Sequence, residues 1–271
     1  MIDPVLALPV LLVGACVGSF LNVVIWRLPR QESLVHPGSH CPRCGTPLSW
    51  AEKMPLLSWL LQRARCRHCH TAISCRYPLV ECLAAVLWLA AVAARPESLG
   101  AAPPWWLVMV AGWLLVSITI PLALIDLDHL WLPEGLCRLG VAAGLAVTLV
   151  AAAHQGWSDG RQLVLSHLLA AGMGLLAMEG LAALAERLLG RPAMGLGDAK
   201  LAALIGAWLG PAGLLVSLGL AVTSGAAVGS LARLSGRLGA GQPMPFGPFL
   251  VAGCLFCWFQ GSSPWLERLG L

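Results

Sequence analysis

Long apolar runs separated by short polar stretches dominate the 271-residue chain. Eight runs stand out, at 4–26, 78–95, 103–125, 135–153, 162–186, 198–209, 211–232 and 246–262. A helix that crosses a bilayer needs about 20 apolar residues, and fewer where protein shields it. The pattern therefore predicts an all-α polytopic membrane protein with about eight transmembrane helices. The sixth run is short, and only Gly210-Pro211 parts it from the seventh, which predicts a tight helical hairpin. Gly225-Ala-Ala-Val-Gly229 offers a small-xxx-small face for close helix packing. One polar stretch, 27–77, is long enough to form a domain of its own. The chain thus divides into a first transmembrane helix at 1–26, an extramembrane domain at 27–77 and a helical bundle at 78–271. The first run has the length of a secretion signal. Its only early charge is Asp3, however, and it continues through Leu21-Asn22-Val23-Val24-Ile25-Trp26 without a small-residue cleavage site, so it reads as a retained span.

Composition agrees with this picture. Hydrophobic residues make up 58% of the chain and charged residues 11%, against about 25% charged in a soluble domain. Of the 17 Lys and Arg residues, eight lie in 27–77. Arg138, Arg187, Arg191, Lys200, Arg233 and Arg237 fall on the same side, and only Arg95, Arg161 and Arg268 on the other. The positive-inside rule then places 27–77 in the cytoplasm and both termini outside. A net charge of +4 needs no nucleic-acid partner, because membrane insertion itself selects a basic cytoplasmic face.

Two acidic residues interrupt the apolar pattern at the same predicted depth. Asp126 closes the third span and Asp198 opens the sixth, both at the cytoplasmic surface. Ionisable groups at the edge of spanning helices are costly and are functional-site candidates by default. Two carboxylates close enough to share a proton do not both ionise easily. The ionised member can take a proton from water while the neutral one polarises a substrate carbonyl, as in aspartic proteases. Gly195 and Gly197 flank Asp198 with residues that allow unusual backbone angles and close approach of another chain, so a substrate peptide could lie along this segment. Asp128 and Glu134 are the nearby alternatives to Asp126. Glu134 also precedes Arg138 by four residues, the spacing of an ordinary helical ion pair. Spacing alone leaves a second reading open, in which Asp126 and Asp198 are water-exposed helix caps. A third, a proton or cation relay in a transporter, fits less well, since coupling sites sit near the bilayer midplane and between repeated halves. A non-catalytic docking scaffold would not need the aspartates.

Ten cysteines add a second chemistry. Cys41-Pro42-Arg43-Cys44 and Cys66-Arg67-His68-Cys69 are two Cys-x-x-Cys pairs with 21 residues between them, close to the four-cysteine zinc pattern. Four thiolates would fill a tetrahedral site and leave no open position for water, so the zinc would be structural. A redox dithiol or an iron–sulfur cluster is the alternative. His36, His40, His68 and His70 lie nearby, but four cysteines suffice. Cys16, Cys82, Cys137, Cys254 and Cys257 lie in or beside apolar runs as small hydrophobes, and Cys75 is a spare. Glu32 and Glu52 read as solvated surface. Glu81 reads as either an ion pair with Arg76 or a substrate contact.

Six motifs in order give the chain a family resemblance. These are Gly18-Ser-Phe-Leu-Asn-Val-Val-Ile-Trp-Arg-Leu-Pro29, the two cysteine pairs, Ile73-Ser-Cys-Arg-Tyr-Pro-Leu-Val-Glu81, Asp126-Leu-Asp-His-Leu-Trp-Leu-Pro-Glu134, Gly195-Leu-Gly-Asp198 and Pro243-Met-Pro-Phe-Gly-Pro248. Together they resemble the type IV prepilin peptidases, bifunctional leader peptidases and N-methyltransferases of type IV pilus and type II secretion systems. The resemblance covers nearly the whole chain. It implies that Asp126 and Asp198 are catalytic aspartates in the bacterial inner membrane, facing the cytoplasm. The substrates would be prepilins and pseudopilins, cut after the glycine that ends a basic leader. Methylation of the new N-terminus from S-adenosylmethionine would follow. Glu134 departs from the aspartate expected after Leu-Pro but keeps a carboxylate, and the interval between Asp126 and Asp198 is longer than expected. No glycine-rich turn announces a methyl-donor site. The opening motif and the Arg76–Glu81 motif could help form one.

Overall fold

A computed structural model of the protein describes residues 4–100, 102–190, 195–239, 242–268 and 270. Asp3 and Arg191, used above, lie outside them. Among the described residues the regular structure is helical: α1 (Pro4–Arg27), α2 (Leu57–Leu61), α3 (Arg76–Ala93), α4 (Trp105–His129), α5 (Glu134–Ala153), α6 (Trp157–Leu189), α7 (Leu196–Leu234), α8 (Gly247–Gln260) and α9 (Ser263–Arg268). Six of these, α1 and α3 to α7, are long and apolar enough to cross a membrane. The chain is a multi-pass membrane protein. All eight predicted apolar runs are helical. Two of them share α7, and α8 is shorter than a full span at 14 residues.

The chain forms two compact units, Met1–Ala93 and Ala94–Leu271. In the first, α1 packs along α3. Buried Asn22 donates from Nδ2 to Tyr77 O at 3.1 Å, fixing the C-terminal part of α1 to the start of α3. One acidic residue corrects the sequence reading here, and a second gains a partner the sequence did not suggest. Glu52 is buried rather than solvated, and its Oε2 accepts from Ser49 N at 2.9 Å and Ser49 Oγ at 2.7 Å. Glu81 is also buried, and its Oε2 accepts from Leu56 N at 2.8 Å. Leu56 has a positive φ of 60°, so Glu81 steadies a turn the backbone does not favour.

In the second unit α7 reverses direction at Gly210. Gly210 has φ 66° and ψ −171°, a conformation that side chains resist, and Pro211 cannot donate to the preceding turn. Going from Asp198 to Gly210, Leu204 meets Gly140 and Trp208 meets Gly144, so this half runs parallel to α5. After Pro211, Ser217 meets Gly253 and Met244 meets Gly229, so the second half runs antiparallel to α8. This is the predicted hairpin. Trp208 Nε1 donates to Gly140 O at 2.8 Å, and the Trp208 and Trp258 rings meet edge to face at 5.9 Å. Small residues make these contacts possible: a Cβ on Gly206 would collide with the backbone of Ala170. Lipid supplies little drive for helix association, so close packing of this kind has to supply it. The Gly225–Gly229 face meets Phe246, Phe249 and Met244 rather than another long helix.

Candidate active site and metal centre

Three helix ends converge in the second unit. Asp126 lies in the last turn of α4, where Leu130 adopts a left-handed conformation and donates its N–H to the Asp126 main-chain oxygen at 2.8 Å. Asp198 lies in the first turn of α7, and its N–H donates to Gly195 O at 3.1 Å. Both carboxylates belong to buried residues, 6% and 8% exposed, and the Asp126 charge lies close enough to act on Asp198. Asp128 and Glu134 are exposed, so Asp126 is the member of its motif that points inward.

The C-terminal end of a helix disfavours a carboxylate. Asp126 escapes that cost through α8. The N–H of Gly247, the first residue of α8, donates to Asp126 Oδ2 at 2.8 Å. A Cβ on Gly247 would lie 2.7 Å from that oxygen, so any other residue would have to push the carboxylate aside. Sequence reasoning missed this contact. Its only signal was the Pro243–Pro248 motif, which carried no role.

The flanking glycines behave differently from one another. Gly195 has φ −80° and ψ 143°, angles open to any residue, so the expected unusual backbone is absent there. Among the described residues, the atoms nearest to where a Cβ would stand are Asp198 Oδ2 at 3.8 Å and Gly197 N at 3.9 Å. Gly197 instead packs on Leu132, where a Cβ would come within 2.9 Å of Leu132 Cβ. The Glu134–Arg138 pair is present at 2.6 Å. Glu134 also pairs with Lys200 at 3.1 Å, tying the first turn of α5 to the first turn of α7 beside Asp198.

In the first unit the cysteines form two matching turns. Cys41 N donates to Thr46 O at 3.0 Å and Gly45 N to Cys41 O at 2.9 Å. Cys66 N donates to Thr71 O at 2.9 Å and His70 N to Cys66 O at 3.0 Å. The repeat extends to isolated bridges at His40–Pro47 and Arg65–Ala72. The sulfur atoms of Cys41, Cys44, Cys66 and Cys69 all lie within 4.8 Å of one another, and those of Cys41 and Cys69 are 3.8 Å apart. Tetrahedral zinc–sulfur bonds of about 2.3 Å require sulfur separations of about 3.8 Å, so the cluster fits zinc. The Thr71 hydroxyl and amide pull the Cys69 thiol down to about 6, and the equivalent groups of Thr46 lower Cys44. Thiolates are the ligand form.

Residues 12–95 match the family described as the bacterial peptidase A24 N-terminal domain, and residues 113–230 match the type IV leader peptidase family. The chain is 41% identical over 237 residues to the "Prepilin leader peptidase/N-methyltransferase" of Myxococcus xanthus, covering 87% of this chain and 66% of that protein. It is 36% identical over 270 residues to the "Type 4 prepilin-like proteins leader peptide-processing enzyme" of Escherichia coli, covering 91% and 92%. It is 32% identical over 277 residues to the Neisseria gonorrhoeae "Prepilin leader peptidase/N-methyltransferase", covering 93% and 90%. No solved structure matches the chain.

Proposed function

The chain belongs to the type IV leader peptidase family, and from that premise we propose that it is a membrane aspartic endopeptidase for prepilin leaders that also N-methylates the trimmed product. Cleavage follows the glycine that ends the leader, at the cytoplasmic face of the bacterial inner membrane. The observation that carries this reading is the pair of buried carboxylates at the ends of α4 and α7, with Asp126 near enough for its charge to act on Asp198.

One carboxylate of the pair is ionised and draws a proton from a water molecule. The other is protonated and donates to the scissile carbonyl oxygen. The water oxygen attacks the carbonyl carbon. Collapse of the tetrahedral intermediate returns a proton to the leaving nitrogen, and no covalent enzyme intermediate forms. The Gly247 amide holds Asp126 Oδ2, so Oδ1 is the oxygen left to face the water. Gly195 places no side chain beside Asp198 Oδ2, which suits the approach of an extended substrate backbone. Basic residues concentrated on one side support the cytoplasmic placement.

Zinc held by Cys41, Cys44, Cys66 and Cys69 would fix the two turns and perform no chemistry. The methyl donor is S-adenosylmethionine, supported by the methyltransferase names of the relatives.

The test is cleavage of a prepilin by membranes carrying the wild type, Asp126→Ala or Asp198→Ala. Each substitution should abolish cleavage, with protein levels unchanged. Normal cleavage by either variant would remove that aspartate from the pair and turn attention to Asp128 or Glu134.

A further inference from the structure

Most of the exposed leucines lie on helices long enough to cross a membrane, where lipid covers them. The short helix α2 is an exception. Leu57, Leu60 and Leu61 stand three and four residues apart, on one face of it, and they are 50–76% exposed. The helix is firmly held from its other side. Trp59 Nε1 donates to Ile73 O at 3.2 Å, and just past the helix Ala64 O accepts from Ile73 N at 2.7 Å. An apolar face fixed in place and left bare calls for a cover.

Depth is the first clue to that cover. With 18 residues, α3 rises about 27 Å and needs its whole length to cross a hydrocarbon layer of about 30 Å. Glu81 lies in the second turn of α3, roughly 8 Å along it. Its Oε2 accepts from Leu56 N at 2.8 Å, immediately before α2. The short helix is thus pinned beside the first turns of α3 instead of standing out in water. Amphipathic helices that lie on a bilayer bury their apolar face about 5–10 Å into the headgroup boundary, and α2 is held at that level. Charge is the second clue. Arg63 and Arg65 follow α2 directly, are exposed, and enter no ion pair among the described residues. Segment 27–77 carries eight basic residues against two acidic ones, Glu32 and Glu52, and Glu52 is buried against Ser49. A basic cluster beside a spanning helix attracts anionic headgroups.

We propose that α2 is a membrane-surface anchor, with Leu57, Leu60 and Leu61 seated in the acyl boundary of the leaflet and Arg63 and Arg65 bound to the phosphates of anionic phospholipids. Guanidinium groups match phosphate in charge and in paired hydrogen bonds. Leucines alone would suit a protein partner equally well, and the adjoining arginines are what favour lipid. Cys66 follows Arg65 directly, so the anchor holds the second cysteine turn close against the bilayer. This seat is independent of the peptide-bond chemistry of the other unit.

The test uses the full chain in nanodiscs of phosphatidylglycerol and of phosphatidylcholine. With p-benzoylphenylalanine in place of Leu60, irradiation in phosphatidylglycerol discs should give, as the main product, protein carrying the added mass of that lipid. A main product joined to peptides of Ala94–Leu271, or to a second copy of the chain, would show that protein covers the face and would overturn the anchor. So would label recovered unreacted, which marks a side chain in water. In unlabelled wild type, the amides of residues 57–65 should exchange hydrogen at least tenfold more slowly in phosphatidylglycerol than in phosphatidylcholine. Arg63→Gln combined with Arg65→Gln should remove that difference, while Arg237→Gln, in the other unit, should keep it. Melting temperature and metal content check that each variant is folded. Should the double variant fail to fold, the comparison of the two lipids on wild type decides alone. Equal exchange in the two lipids would overturn the assignment of the arginines to lipid phosphate.

Discussion

Gly247 places its backbone amide 2.8 Å from Asp126 Oδ2, with no room left for a Cβ unless the carboxylate moves. Gly247→Ala should therefore push the Asp126 carboxylate aside. Misplacement of a catalytic group by about 1 Å costs roughly a hundredfold in rate. We expect kcat for prepilin cleavage to fall by about that factor with little change in KM, measured on protein of unchanged melting temperature. A proportional rise in KM with kcat intact would place Gly247 in substrate binding instead. The aspartates were legible in the sequence because a charge beside an apolar run stands out. The Gly247 contact was not, because a bond across 121 residues leaves no local pattern. Glu52 was misjudged for a related reason. Charged side chains are mostly exposed, and only the three-dimensional turn at 49–53 buries this one.

Helices carry the next set of consequences. The eight apolar runs and the Gly210-Pro211 hairpin were legible because length, hydropathy and turn chemistry are local. Which helices touch was not, since Gly140, Gly144, Gly174 and Gly206 are informative only once their partners are known. Gly210→Ala must place a side chain at φ 66°, close to His167. His167 was itself missed; it is buried with Nδ1 3.1 Å from Ala207 O and 3.2 Å from Thr148 Oγ1. The strain should cost on the order of 1–3 kcal/mol and appear as a lowered melting temperature.

Glu97 makes a second element-scale prediction. Its carboxylate accepts from the amides and hydroxyls of Ser262 and Ser263, joining the approach to α4 to the start of α9. Burial pushes this carboxyl up, but the hydroxyl and amide of Ser263 and then those of Ser262 outweigh it, and it titrates below the ordinary glutamate value. A group whose folded pKa is lowered contributes stability above its unfolded pKa and loses it as pH falls through the folded value. Glu97→Gln should therefore cost on the order of 1 kcal/mol at neutral pH, reduced by exposure to solvent. The difference from wild type should shrink in melting curves as pH falls below the ordinary glutamate value of about 4.3. A penalty independent of pH would show that the ionised carboxylate is not what these bonds require.

At the scale of the whole molecule, the two units should respond separately to metal loss. Removing zinc with a chelator should release hydrogen-exchange protection across the two cysteine turns while α7 and α8 keep theirs. Simultaneous loss throughout the chain would show that the units do not fold independently. The hairpin at Gly210 also bears on the lipid. The half of α7 that carries Asp198, residues 196–209, rises about 21 Å, as does α8, against a hydrocarbon layer of about 30 Å. Lipids beside these two short helices must shorten or tilt to meet them, at fractions of a kcal/mol for each ångström of mismatch. Bilayer thickness then becomes a variable the protein senses. Reconstituted in phosphatidylcholines of increasing acyl-chain length, it should cleave prepilin fastest in the shorter-chain bilayers.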